Sequence, residues 1–210
     1  MKLLIIENEV INLKGIFKQF EKIIGSDCFG EENMFIFQDD KSGKLNIVQW
    51  SELKSLKDCE FNNHKESVKE SLLQFIDENS AEPIFVVIDL VLNTKARSDY
   101  PTSEYKKNKE YSVALYEELI RLRYIEKRKN VYGMMYSSSE TGDVTISEVL
   151  KYELSKYEKK IMVYSYIENI PFFTRTATNG DIVDDAEDEP INFESETIKW
   201  IKALGRGELN

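Results

Sequence analysis

Two hydrophobic patterns take turns along this chain. Lys2–Ile6, Met34–Phe37, Leu45–Trp50, Ile84–Asp89, Val131–Tyr136 and Ile161–Tyr166 are short runs rich in β-branched and aromatic residues. The runs at Lys2, Ile84 and Val131 lack period-2 alternation, which predicts strands covered on both faces rather than one. Between them apolar residues recur at helical spacing. Val10, Leu13, Ile16, Phe17, Phe20 and Ile24 form one face, with Gly25 as a stop. Val68, Leu72, Phe75 and Ile76 form a second, led by Ser67 and Glu70 in a capping-box spacing. A third helix is predicted over Ser112–Arg128. A fourth follows Thr145 and Glu148 through Ile146, Val149, Leu150, Leu154 and Tyr157, and a closing helix runs from Phe193 to Leu204 before Gly205.

Strand and helix alternate through the chain, which predicts an α/β sandwich of three layers around a mainly parallel sheet of five or six strands. The polar residues Asp39–Lys44 separate two strand patterns and predict a hairpin. Pro171–Thr176 reads either as one more strand or as a loop over the sheet edge. The length fits a single domain over 1–210, with insertions at about 38–66 and 93–110. Residues 93–110 form a long polar loop, the kind that serves as a lid or binding segment. Residues 181–190 are acidic and end in Pro190, the pattern of a solvated linker.

Composition narrows the function classes. A net charge of -10 argues against a nucleic-acid surface, which needs a basic face. No apolar run approaches membrane-spanning length and no signal-peptide pattern precedes the first strand, so the expectation is a cytoplasmic protein without a membrane partner. Two cysteines, Cys28 and Cys59, do not make a disulfide framework, and a single histidine, His64, in a polar run leaves little for histidine-dependent catalysis. No P-loop or dinucleotide fingerprint occurs.

The candidate chemistry lies at strand ends. In open parallel sheets ligands gather beyond the carboxyl ends of the strands. Asp89 ends the Ile84 run, Glu7-Asn8-Glu9 follows the first strand, and Ser137-Ser138-Ser139 follows the Val131 run. If the strands that end at Glu7 and Asp89 are neighbours, the two acids share an anionic hollow. Otherwise Asp89 is a strand-end residue that caps the next turn, and Asn8 is the N-cap of the first helix.

Leu4-Ile-Ile-Glu7-Asn8-Glu9 leading into Val10-Ile-Asn-Leu resembles the opening of a response-regulator receiver (CheY-like) domain, in which the first strand ends in paired acids. The resemblance extends over most of the chain in the order and end-of-strand placement of the key residues. It implies a flavodoxin/CheY-like fold, Asp89 as phosphoacceptor aspartate, and Ser137 as the hydroxyl that meets the phosphoryl group. It also implies a magnesium ion held by Glu7, Asn8 and Asp89. A histidine kinase or small phosphodonor would supply the phosphate, and output would pass through a protein partner or a homodimer. The chain departs from the pattern at several positions. Asn8 is neutral where the family has a second acid, and loss of one carboxylate weakens a hard-cation site. The family lysine has no direct counterpart, and Arg175 takes its place only if Phe172–Thr174 is the fifth strand. No glycine follows closely after Asp89.

The expectation is therefore a divergent receiver-like signalling module of the two-component type rather than an enzyme. It is either phosphorylated on Asp89 or a phosphorylation-independent pseudo-receiver acting through protein partners. The alternative is a small magnesium-dependent phosphohydrolase or phosphotransfer enzyme using the Glu7/Asp89 edge, with 93–110 as a lid.

Overall fold

The computed structural model describes residues 1–40, 44–61, 64–89, 92, 111–112, 114–119, 121–123, 126–137, 173–176 and 201–207. The loop 93–110, the helix expected after Thr145, the strand expected at Ile161–Tyr166 and the linker 181–190 lie outside them. Six strands make one mixed sheet: β1 (Lys2–Ile6), β2 (Met34–Asp39), β3 (Leu45–Gln49), β4 (Ile84–Asp89), β5 (Val131–Ser137) and β6 (Phe173–Thr176). Their spatial order is β3-β2-β1-β4-β5-β6. All neighbours are parallel except β2 and β3, which form the antiparallel hairpin expected around residues 39–44.

Burial on both faces explains the unbroken apolar runs. Every residue of β4 is buried. Its even-numbered side chains Ile84, Val86 and Ile88 join Leu4 and Ile6 of β1 in a core closed by α2 (Lys65–Glu78) and by helical residues within 111–123. Its odd-numbered Phe85 and Val87 join Leu3 and Ile5 under α1 (Val10–Ile24) and the closing helical residues 201–205. Since successive strand side chains point to opposite faces, a strand clad by helices on both sides needs apolar residues at every position. The result is helices on both faces of a mostly parallel sheet, as the alternation predicts.

Gly205 marks how closely the closing helix approaches α1. A Cβ there would lie 2.5 Å from Cγ2 and 2.7 Å from Cγ1 of the buried Ile24. Gly205→Ala therefore forces either helix to shift. We expect it to destabilise the fold by about 1–3 kcal/mol, the usual range for overpacking, measured as a lowered urea midpoint.

Three local expectations are corrected. Ser67 does not head a capping box: α2 starts at Lys65 with His64 at its N-cap position, and Ser67 Oγ donates to the His64 carbonyl at 2.8 Å from inside the first turn. Asn8 is not the cap of α1, whose N-cap position is Glu9 and has no side-chain cap of its own. The helix expected to reach Arg128 ends sooner, since residues 126–128 are not helical. Lys127 takes φ 61°, and Arg123 Nη1 donates at 2.6 Å to the carbonyls of both Lys129 and Val131, drawing the chain back into β5.

Candidate functional site

The chain leaves β1 for β2 on one side and returns to place β4 on the other, so the strand order reverses between β1 and β4. A crevice outside the carboxyl ends is expected at such a switch point. Ile6 pairs with Ile88 in register, so the next residues, Glu7 and Asp89, stand side by side at that place. Both are almost fully enclosed, Glu7 at 2 % and Asp89 at 7 % exposure. The strand tips expected to be neighbours are thus adjacent.

Glu7 is held by the turn that follows it. Oε1 accepts the backbone N–H groups of Asn8 (2.8 Å) and Glu9 (2.9 Å). Oε2 accepts from Asn12 Nδ2 at 3.2 Å, and the same amide reaches Glu9 Oε2 at 3.3 Å. Burial pushes the Glu7 carboxyl well above the usual range, and the Asp89 carboxylate beside it adds to the push; the Glu9 backbone bond and the Asn12 bond oppose it. Desolvation and a like charge disfavour the anion, while hydrogen bonds that accept onto the anion favour it. The net shift is upward.

A segment far along the chain covers this turn. Asp58 Oδ1 accepts Val10 N–H at 2.9 Å, satisfying one of the open amides at the start of α1. The Cys59 N–H donates to the Asn8 carbonyl at 3.0 Å. The Cys59 thiol, buried and pushed up to about 11 by that burial, donates to the Phe37 carbonyl at 3.2 Å. Gln38, buried at the end of β2, holds the same segment through the Lys57 carbonyl (2.9 Å) and Lys57 N–H (3.2 Å). Asp58→Ala should cost up to about 1 kcal/mol, as for loss of a helix cap, and should raise hydrogen exchange at Val10 more than at the core of α1.

The remaining expected residues occupy the far half of the edge. Asp89 is in register with Tyr136, and Tyr136 with Arg175. Pro171–Thr176 thus includes strand β6 at Phe173–Thr176, and the backbone of Arg175 falls in the row of Asp89. Ser137 is the last residue of β5, one step further along, paired with Thr176. Ser138 and Ser139 are outside the described residues.

The magnesium set expected from the resemblance does not fit well here. A carboxylate offers about four acceptor directions, and Glu7 already uses three for N–H donors. Magnesium demands near-octahedral oxygen donors with compensating negative charge. The neutral Asn8 side chain adds none. Among the described residues no group of three or more His, Cys, Asp or Glu is placed to hold a metal ion.

Asn12, Gln38, Asp58 and Cys59 escaped the sequence reading. Asn12 gave one signal: it is a polar residue one position before Leu13, five residues after Glu7, on a helix whose neighbours are apolar. Asp58 and Cys59 gave none, since their partners lie about fifty residues away. Comparison of the chain with protein-family models, with curated proteins and with solved structures gives no match.

Proposed function

We propose that this chain is a receiver-like regulatory module of the pseudo-receiver kind, which works through protein partners and does not depend on phosphorylation of Asp89. The observation that supports it best is the adjacency of Glu7 and Asp89 at the switch point, with one oxygen of Glu7 turned to the N–H groups of its own turn and the other to Asn12 of α1. The parallel strands of the sheet follow the doubly-wound order of flavodoxin-like folds, with β3 added at one edge. That order favours a receiver-like ancestry for the strand-tip acids. Asp89 at 7 % exposure is poorly placed for in-line attack on a phosphodonor. With Asn8 in place of an acid, the donor set lacks the negative charge that would hold a cation against a phosphoryl group.

Incubation of the full chain with magnesium and a small acyl-phosphate donor, read by intact mass, tests this. The expected result is an unchanged mass and no turnover across a panel of phosphoesters. A single phosphoryl adduct that disappears in Asp89→Asn would replace this reading with a phosphorylated receiver. Metal-dependent turnover of a phosphoester, lost in the same variant, would replace it with the hydrolase.

A further inference from the structure

The opposite margin of the sheet carries a second feature, away from the strand-tip acids. β3 is an edge strand, and among the described residues nothing pairs with its outer side. Asp40 N–H donates to the Lys44 carbonyl at 2.8 Å, which makes these two a hydrogen-bonded pair of the hairpin. The antiparallel ladder alternates from there, so Asn46 and Val48 turn their backbone groups to β2. Leu45, Ile47 and Gln49 turn their N–H and C=O groups outward. Edge strands are commonly blunted by a charge, a proline or a bulge. The five residues Leu-Asn-Ile-Val-Gln of β3 include no charge and no proline, and they pair with β2 in unbroken register.

A cavity of about 480 Å³ runs along this edge. Four consecutive β3 residues, Asn46 to Gln49, line it. A hollow on one face of a strand would meet alternate residues only, so this one follows the backbone edge itself. Its other wall is α2, which contributes Gln74 and Glu78, and Phe35 and Phe75 also line it, their rings tilted at 58° with centroids 4.9 Å apart. Glu52 closes one end. The lining thus includes two carboxylates and no cation. Lys2 lies 5.5 Å over the Phe35 ring and is already matched to Asn79 and to Glu82.

We infer that this edge and groove take an extended, basic peptide segment of a partner protein, added as a strand beside β3. Outward backbone groups supply main-chain hydrogen bonds, and the groove receives every second side chain, the general scheme of strand addition. Glu52 and Glu78 select lysine or arginine at those positions. A net charge of -10 opposes the pairing of two copies along the same edge. The inference deepens the reading of the chain as a protein-binding module and rests on it for biological meaning. The groove's geometry is independent of Asp89.

An octapeptide library with alternate positions held as Lys, Glu or Ser, probed with the full chain, provides the test. Lys-containing members should be enriched. The best of them should shift amide resonances of β3 and α2 and leave those at Glu7 and Asp89 in place. N-methylation of its inward amides should abolish binding. The double variant Glu52→Lys, Glu78→Lys changes two exposed side chains, and it should weaken that peptide at least tenfold without altering the melting curve. Absence of enrichment, equal affinity for the double variant, or shifts mapped to another surface would overturn the inference. So would a concentration-dependent dimer formed through β3, which would make a second copy the occupant. None of these outcomes bears on the phosphodonor assay, so failure here and failure of the pseudo-receiver reading are distinguishable.

Discussion

Phe85→Ala is expected to remove about 3–5 kcal/mol of folding stability, the range for deleting a buried aromatic side chain. Phe85 is completely buried in β4, the strand that pairs with both β1 and β5. Its ring meets Phe20 of α1 edge-on, with centroids 5.3 Å apart and planes at 66°. Truncation loses the transfer free energy of the ring and leaves a cavity between sheet and helix. Backbone hydrogen bonds of β4 to two neighbours prevent the strand from moving to fill it. Small domains are stable by about 5–15 kcal/mol, so the loss is a large share of the total. Urea unfolding should give a much lower midpoint with an unchanged slope. Phe85→Leu, which retains most of the volume, should cost much less. A loss below about 1 kcal/mol for the alanine variant would mean that α1 does not seat on β4 in solution.

Glu7→Gln is expected to raise stability at neutral and mildly alkaline pH, by an amount on the order of 1–3 kcal/mol, comparable to the cost of a poorly compensated buried polar group. The folded-state pKa of Glu7 is raised above the ordinary value of 4.5, first by burial and then by Asp89. A raised carboxyl pKa means that the folded chain holds this proton more tightly than the unfolded chain. Its contribution to stability is complete below the unfolded value and is lost as pH climbs from about 4.5 through the folded value. The variant has no proton to release, so its stability should lack this decline. A glutamine oxygen can still accept the Asn8 and Glu9 N–H groups, and its amide takes the place of Oε2 once Asn12 turns its own oxygen toward it. Asp89→Asn provides the internal control. Removing the like charge should lower the Glu7 pKa and move the decline toward higher acidity being required to protonate it. Melting temperatures across pH for the three proteins check both statements. Parallel curves for wild type and Glu7→Gln would show that Glu7 titrates as a free carboxyl.

The strand-tip pair was readable because its two parts are each encoded locally. Leu3–Ile6 and Ile84–Ile88 are apolar at every position, which only a doubly covered strand requires, and each run stops at an acid. The assumption that they are neighbours came from the general order of parallel sheets. The structure agrees through the register of Ile6 with Ile88. Arg175 was harder. Pro171–Thr176 has a short and ambiguous pattern, and only pairing with β5 distinguishes a strand from a covering loop.

Among the described residues, local sequence therefore determined the element types, the layering and the acids at the strand ends, since side-chain periodicity reports directly on which faces are buried. Helix boundaries were less legible: Ser67 and Glu70 satisfy a capping motif, yet the first turn of α2 forms two residues earlier. Only the tertiary structure decided the state of the site. Asp58 and Cys59 come from about fifty residues away to fasten the Glu7 turn, and their contribution depends on chain segments meeting in space. The same holds for the elevated Glu7 pKa, which arises from enclosure and from a neighbour on another strand. Desolvation and charge proximity are properties of the folded packing, and no short stretch of residues encodes them.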